Sequence, residues 1–204
     1  MKYTQEQIQE ILDKHKMWLD EEGGERADLY NTTLKGANLK GVNLAGANLD
    51  YVDLRGADLE GADLEGASIK AAYLDYANLV GSDISYVAMN GTSLNNVNLK
   101  GANITAADLR HADLSNANLE NTSLTRVNTE NLRGCAVYSV QMPISQRNAR
   151  LSYWKELNIW TVSYFQGTKC ELFEYIDERH KDNEKIRNRY FKAIEFIENM
   201  ANEE

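Results

Sequence analysis

The residues most suggestive of chemistry are aspartates that recur every five positions. Asp53, Asp58 and Asp63 form such a series, and paired carboxylates can act as general acid and base when one of them is desolvated. A constant interval of five, however, makes these residues part of a repeat whose aspartate position faces solvent. A solvated carboxylate is a poor general acid, so we predict no active site here.

The histidines do not converge either. His15, His111 and His180 fall in three separate segments, and none belongs to an HxH, HExxH or CxxC spacing. Asp177 and Glu178 lie close to His180 in sequence, but this group is typical of a charged helix face. Glycine-rich phosphate loops and the GxSxG elbow are absent from the sequence. We therefore predict that the protein is not an enzyme and has no catalytic, cofactor-binding or metal-binding residue.

The five-residue interval extends far beyond the aspartates. Twenty large aliphatic or methionine residues follow one another at this interval from Leu29 to Leu124. Each centre has a small residue two positions before it, usually Asp or Asn directly before it, and often Gly two positions after it. The interval fits neither the periodicity of a helix nor that of a strand. It indicates a chain that turns a corner every five residues, with the centre and the small residue pointing inward.

This pattern resembles the pentapeptide-repeat family, whose A(D/N)LxG motif is matched by residues 37–41, 57–61 and 62–66. The resemblance implies a mainly β fold: a right-handed four-sided β-helix with four pentapeptides per coil. Twenty repeats would then form about five coils. We place this solid, cavity-free domain at residues 25–128.

Both ends of a stacked β-helix need a cover, because exposed strand edges promote aggregation. Residues 1–24 predict an N-terminal amphipathic capping helix over 4–22, begun by a capping box at Thr4 and ended by Gly23. Its apolar face includes His15, which we interpret as a packing residue.

Residues 129–204 predict a small C-terminal α+β domain, because the repeat register is lost after Leu124. The runs "CAVYSVQMP", "LSYWKELNI" and "WTVSYF" indicate two or three antiparallel strands, two of them separated by the polar turn "ISQRNAR". A capping box at Thr168 begins a helix that reaches about His180, and a last helix covers roughly 184–200. Trp154 and Trp160 are expected in its core, with a binding groove as the alternative.

This C-terminal segment also resembles one attached to some bacterial and phage pentapeptide-repeat proteins. The matching stretches run from Arg150 to Tyr153, from Phe165 to Phe173 and from Ala193 to Ile197. The resemblance implies no activity. Cys135 and Cys170 are too isolated for a disulfide framework or a zinc site.

The charge is acidic and unevenly distributed. Of the net charge of −9, residues 27–126 contribute most, with 12 acidic and 7 basic residues. Such a surface repels phosphate, which argues against direct nucleic-acid binding, and attracts basic protein surfaces. A signal peptide and a long apolar run are both absent from the sequence, so we expect a cytoplasmic protein without membrane contact.

One part of the repeat surface departs from the consensus. Tyr51 and Tyr76 occupy corner positions where glycine is expected, and Tyr73 replaces the expected Asp or Asn. With the neighbouring acidic residues, they form our candidate partner-binding set: Tyr51, Tyr73, Tyr76, Asp50, Asp53 and Asp75. Tyrosine provides contact area at low entropic cost, although tyrosines also stack as structural ladders along β-helices. The corner column of Gly41, Gly61, Gly81 and Gly101, by contrast, is bare.

The leading hypothesis is a non-catalytic interaction protein that presents a rigid acidic surface to another protein, with the C-terminal domain as a second contact or homo-oligomer unit. The family resemblance implies a sharper form, since some members mimic duplex DNA and bind type II topoisomerases. The short repeat segment and the globular tail depart from those members. A host or defence protein that acts on DNA is a related candidate partner. In a second alternative, the C-terminal domain binds a ligand or performs catalysis, with the repeats as a spacer.

Overall fold

A computed structural model describes residues 3–142 and 149–203. The chain forms two compact units, one made of Met1–Ser123 with Val127–Gly134 and the other of Leu124–Arg126 with Cys135–Glu204. The predicted domain boundaries after residues 24 and 128 remain predictions. Most of the predicted turn "ISQRNAR", residues 144–148, lies outside the described residues.

The repeats of the first unit form a β-helix held together by parallel bridges. Every bridge joins residues twenty positions apart, from Asp28 and Asn48 to Asp113 and Arg133. A spacing of twenty residues equals four pentapeptides, so residues twenty apart form columns on the surface. The ladder reaches Arg133, even though the apolar centres end at Leu124. The handedness and the number of coils remain predictions.

The interior of the β-helix is filled by the repeat centres. All twenty, from Leu29 to Leu124, are buried, with at most 5% of the residue exposed. The small residue two positions before the centre is usually buried as well, as at Ala57 and Ala62. The predicted inward orientation is confirmed, and each fully buried leucine contributes about 1.5–3 kcal/mol to folding.

Every corner position, two residues after a centre, has a left-handed backbone. The φ angle is 63° at Gly61, 58° at Asn116 and 62° at Tyr76. Backbone hydrogen bonds to the next coil hold this conformation, for example from the Tyr76 N–H to the carbonyl of Asn95 at 2.9 Å. The repeat therefore imposes the corner geometry on whatever residue occupies it.

The N-terminal helix α1 spans Gln5–Leu19. The Thr4 capping box with Gln7 is confirmed, but the predicted end at residue 22 is wrong. The chain leaves the helix at Asp20, and the N–H of Glu22 donates to the carbonyl of Met17 at 2.9 Å. Glu21 supplies the left-handed residue of this terminator, with φ 57°. Gly24 is needed for another reason: a Cβ there would lie 2.2 Å from the carbonyl oxygen of Lys14.

His15 lies on the buried face of α1, as expected. Its side chain is buried, its Nδ1 accepts a hydrogen bond from the Ala27 N–H at 3.1 Å, and its ring stacks on Trp18 with 5.4 Å between centroids. Ala27 opens the first repeat, so this contact joins the helix to the beginning of the β-helix.

The second unit contains a four-stranded antiparallel sheet in the order β1-β2-β3-β4. The strands are β1 (Val137–Met142), β2 (Ala149–Trp154), β3 (Ile159–Val162) and β4 (Phe165–Gly167). The expectation of two or three strands is wrong by at least one. A tight turn at Ser163, with φ 52°, divides the run "WTVSYF" between β3 and β4.

Two helices complete this unit: α2 (Lys169–Arg179) and α3 (Glu184–Asn202). The capping box of Thr168 with Glu171 is confirmed. Trp154 and Trp160 are each 1% exposed, which confirms the core interpretation. The buried core is shared by the sheet and both helices: Met142, Leu151, Trp160, Val162, Leu172, Ile176, Tyr190, Ile194 and Ile197. Cys135 is a half-buried free thiol and Cys170 an exposed one.

Candidate functional site

The three predicted tyrosines lie close together on the β-helix, and we call the surface formed by Tyr51, Tyr73 and Tyr76 the tyrosine face. Tyr51 and Tyr73 line one groove of about 590 Å³, and Tyr76 lines a second of about 570 Å³. Arg55 lines both grooves. The tyrosines are 51%, 51% and 69% exposed, so their rings are available for contact.

The repeat places these side chains in two different ways. Tyr73 is bridged to Asp53 in the coil before and to Ser93 in the coil after, so its ring projects from the flat part of the surface. Tyr51 and Tyr76 sit at corners with φ 61° and 62°. A left-handed backbone costs an L-residue roughly 1–2 kcal/mol relative to its preferred conformations. Two of the three tyrosines are therefore held where glycine would be more stable.

Arg55 organises the centre of the tyrosine face. Its Nε donates to Oδ1 of Asp53 at 2.8 Å and its Nη2 to Oδ2 at 2.6 Å. The guanidinium also lies over the ring of Tyr73, 5.7 Å from the centroid. The hydrogen bonds from the Arg55 side chain, with its positive charge and that of Lys35, hold the pKa of Asp53 below its usual value against the opposing effect of burial.

The other two predicted carboxylates bind neighbouring repeat residues. Asp50 accepts hydrogen bonds from the Ser68 hydroxyl at 2.6 Å and from the Lys70 N–H at 2.9 Å. Asp75 accepts from the Ser93 hydroxyl at 2.6 Å and from the Asn95 amide at 3.0 Å. These bonds link successive coils, so both carboxylates contribute to the fold as well as to the charge of the surface.

Sequence reasoning missed two members of this surface. Arg55 stands one position after a repeat centre. It lies two positions after Asp53 and twenty before Asp75, and this spacing was the signal in the sequence that could have placed it beside both carboxylates. Tyr30 was also missed; its ring packs edge-on against Tyr51, with 5.5 Å between centroids. Tyr30 and Asp50 are twenty positions apart and share a column. Since Asp50 directly precedes Tyr51, counting by twenty could have placed Tyr30 next to Tyr51.

Another part of the β-helix is more acidic, and we call Asp63, Glu65 and Asp83 the acidic face. Asp63 and Asp83 are bridged neighbours on successive coils, an arrangement that brings like charges together. Burial acts to raise the pKa of Asp83, but hydrogen bonds from Ser85 and Asn103 outweigh it and lower the pKa.

Within residues 3–142 and 149–203, no group of His, Cys, Asp and Glu is arranged to hold a metal ion. No helix in the described part of the chain has the length and apolar character needed to cross a bilayer.

Known structures with similar chains carry the same kind of repeat. HetL, a pentapeptide repeat protein involved in heterocyst differentiation regulation in the cyanobacterium Nostoc sp. strain PCC 7120, is 30% identical, with a TM-score of 0.49. The match covers 54% of this chain and 61% of HetL, so this chain spans less than two thirds of that structure. Rfr23 from the cyanobacterium Cyanothece 51142 is 27% identical over 58% of this chain and 95% of its own, with a TM-score of 0.46.

QnrB1, a plasmid-mediated fluoroquinolone resistance protein, is 23% identical over 54% of this chain and 56% of its own, with a TM-score of 0.36. No curated protein matches the sequence. The family model for pentapeptide repeats matches residues 27–66, 62–101 and 102–129, which together make up half of the chain. With this match and the bridges between residues twenty positions apart, the chain belongs to the pentapeptide-repeat family.

Proposed function

We propose that this protein is a non-catalytic interaction protein whose tyrosine face binds a protein partner. One observation carries the proposal: Tyr51, Tyr73 and Tyr76 project exposed rings around two grooves that share Arg55. Every corner of the repeat is left-handed, and Tyr86 also projects an exposed ring from one, with φ 57°, so the corner conformation alone does not identify the site. Stability favours glycine at these corners, so we infer that the rings are retained for contact.

The surface has the composition of a protein contact. Tyrosine and arginine dominate the residues that contribute most to binding energy at interfaces, and Tyr51, Tyr73 and Arg55 stand side by side around one groove. Arg55 is held in place by Asp53, so little side-chain freedom is lost when a partner binds. The rim carboxylates Asp50 and Asp75 favour a partner with basic groups at the edge of the contact.

Site-specific photo-crosslinking tests this proposal in the full-length protein. p-Benzoylphenylalanine in place of Tyr73 is expected to crosslink one protein partner in cells of the source organism. The same residue in place of Val80, on the part of the β-helix next to the bare corner Gly81, is the matched control and is expected to give no such product. Equal amounts of crosslinked product from both positions would contradict the proposal that the tyrosine face is the contact surface. The C-terminal unit would then be the remaining candidate for the functional part of the protein.

A finer form of the proposal concerns proteins that act on DNA. The acidic face places Asp63 and Asp83 on successive coils, and the columns of Asn43–Asn103 and Ala45–Thr105 contain no basic residue. Such a row of carboxylates resembles the phosphates of a duplex in charge, which would suit a type II topoisomerase or another DNA-acting host or defence protein.

A supercoiling assay with DNA gyrase tests this form. Inhibition by the wild-type protein, relieved in the Asp63→Asn/Glu65→Gln/Asp83→Asn variant, is the expected result. No effect of the wild-type protein at micromolar concentration would remove the gyrase form and leave the tyrosine-face proposal intact.

A further inference from the structure

One face of the β-helix carries its charges in an order that is complementary to its own reverse. These residues stand one position after a repeat centre and twenty positions apart, so they form a column. In the order of the coils, the column reads Lys40, Glu60, Val80, Lys100 and Glu120. It is flanked on one side by the bridged column of Asn38, Asp58, Asn78, Asn98 and Asn118 and on the other by the corner residues Gly41, Gly61, Gly81 and Gly101. We call these three columns together the glycine face.

The four charges of the glycine face form two ion pairs with the same direction along the column. Nζ of Lys40 lies 2.8 Å from a carboxylate oxygen of Glu60, and Nζ of Lys100 lies 2.9 Å from one of Glu120. Each pair links two coils, although an exposed pair of this kind contributes less than about 1 kcal/mol to stability. The stability of the fold accounts for the pairing, but it does not require lysine to precede glutamate in both pairs.

A second copy of the chain, turned about a two-fold axis that crosses the β-helix at Val80, presents this column in the opposite order. Lys40 then faces Glu120 of the second copy, and Glu60 faces Lys100 of the second copy. Each contact occurs twice because a two-fold interface is self-complementary. Every ion pair therefore meets the pair of the other copy as a network of four alternating charges, and the apolar Val80 meets itself on the axis.

The flanking columns fit the same arrangement. Asn38 faces Asn118 of the second copy, Asp58 faces Asn98, and Asn78 meets itself. An amide both donates and accepts hydrogen bonds, so each of these contacts is compatible. At the four corner glycines, an added Cβ would meet no atom within 4 Å, and no side chain projects there to hold a second copy away.

Other placements of a second copy bring like charges together. The same rotation on the acidic face would set Asp83 against itself, and on the column of the tyrosine face it would set Asp75 against itself. A parallel arrangement of two glycine faces would place Glu60 opposite Asp58 of the second copy. Because opposed like charges weaken an interface, the antiparallel arrangement on the glycine face is favoured.

We infer that the glycine face binds a second copy of this chain in an antiparallel two-fold dimer. This contact goes beyond the proposed partner contact and leaves the tyrosine face accessible, because Tyr76, at the corner between the two faces, lines its groove with Arg55 and Asp75. The sequence led us to expect self-association in the C-terminal domain instead. A single polar face of this extent suits a weak, salt-sensitive dimer and not an obligate one.

An exchange of charges within one ion pair tests the dimer. Lys40→Glu/Glu60→Lys keeps the net charge and the ion pair between the coils, but it opposes like charges at four contacts between the copies. Sedimentation equilibrium of the full-length wild-type protein should approach twice 23.1 kDa at high micromolar concentration and low salt. The double variant should associate at least about tenfold more weakly, and so should Lys100→Glu/Glu120→Lys.

Mixing the two double variants provides the decisive comparison. Each variant opposes like charges when it meets itself, whereas the two together restore opposite charges at all four contacts. The mixture should therefore form heterodimers with an affinity close to that of the wild type. The matched control is Glu10→Lys/Lys14→Glu, which exchanges an ion pair of 2.8 Å on α1 and should leave association unchanged. Unchanged thermal unfolding of each variant confirms that the fold is intact.

Photo-crosslinking locates the contact independently. p-Benzoylphenylalanine in place of Val80 should crosslink the purified protein to a second copy of itself near the same position. A wild-type protein that stays monomeric, double variants that associate like the wild type, a mixture that stays monomeric, or a crosslink to another part of the second copy would each overturn the inference. None of these results would affect the tyrosine-face proposal, which rests on other residues.

Discussion

The corners of the β-helix share one backbone conformation but carry very different side chains. Gly61 and Tyr76 have φ angles of 63° and 62°, yet one corner is bare and the other projects a ring that is 69% exposed. The hydrogen bonds between coils impose the angle in both cases. The fold therefore determines the geometry of the corner, and we propose that the choice of side chain there reflects what the surface contacts.

The largest expected effect is the difference in free energy of unfolding between a substitution inside the β-helix and one on its surface. Leu74 lies between Tyr73 and Asp75 and is fully buried. Leu74→Ala should lower the free energy of unfolding by about 3–5 kcal/mol, because the rigid stack leaves a cavity. Val80→Ala, on the partly exposed surface, should change it by less than about 1 kcal/mol. Chemical denaturation measures both, and equal losses would contradict the division between core and surface.

Exchanging the two kinds of corner residue tests the comparison itself. Tyr76→Gly should raise the free energy of unfolding by about 1 kcal/mol, because glycine adopts the left-handed conformation without strain. Gly61→Tyr should lower it by a similar amount through strain alone, since an added Cβ would meet no atom within 4 Å. If chemical denaturation shows that Tyr76→Gly destabilises the protein, the ring has a structural role and the ladder interpretation holds.

A smaller effect is expected in the pH dependence of stability, which should differ between the first repeat, covered by α1, and the interior of the β-helix. Burial lowers the pKa of His15 below 6.5, with the backbone of Ala45 acting in the opposite direction and the charge of Arg26 in the same one. The neutral imidazole is thus favoured in the folded state. The stability from this group is complete above about pH 6.5 and is lost as the pH falls through the lower folded pKa.

Amide exchange of Ala27, which donates to His15, reports this local effect. Its protection factor should fall below about pH 6.5, while that of Leu74 stays constant over the same range. In His15→Gln, the Ala27 protection should lose its pH dependence. Protection of Ala27 that is independent of pH in the wild type would contradict the assignment.

The smallest effect on stability is expected at Arg55, for which the chain offers a matched control. Arg110 donates two hydrogen bonds to the carboxylate of Asp108, from Nε to Oδ1 at 2.9 Å and from Nη2 to Oδ2 at 2.7 Å. This pair has the same geometry as Arg55 with Asp53 but lies away from the tyrosine face. Arg55→Gln and Arg110→Gln should each lower the thermal midpoint slightly at neutral pH. The pKa of each aspartate is lowered first by its arginine's hydrogen bonds, so the stability of each pair is present above about pH 3.8 and is lost in stronger acid.

Both losses should therefore shrink as the pH falls below about 3.8, whereas only Arg55→Gln should weaken partner binding. Equal binding losses in the two variants would show that the position of the arginine on the β-helix does not matter.

The repeat unit could be predicted from the sequence in most respects. Twenty centres at one interval repeat the same local signal, so an error at one position is corrected by its neighbours, and the column of Asp53 and Tyr73 follows by counting. Prediction was poorer where the conformation of a single residue decides the structure. The end of α1 was placed at Gly23 because glycine usually terminates helices, whereas Glu21 accepts the left-handed conformation instead.

The candidate site was predicted only in part for a related reason. Exposed tyrosines stand out against a strict consensus, which identified Tyr51, Tyr73 and Tyr76. The contacts of Arg55 depend on side-chain rotamers, and the packing of Tyr30 on Tyr51 depends on the register between coils. In the C-terminal unit, β4 was missed because the two-residue turn at Ser163 lacks the usual Asn-Gly signal.

The most direct test is the dissociation constant of the Tyr51→Gly/Tyr76→Gly double variant for the partner identified by crosslinking at Tyr73. If the rings at the two strained corners are kept for contact, the constant should rise by more than about thirtyfold, as expected when interface residues worth over 2 kcal/mol are lost. An unchanged dissociation constant, in a variant that remains folded, would contradict the assignment of these corners to binding.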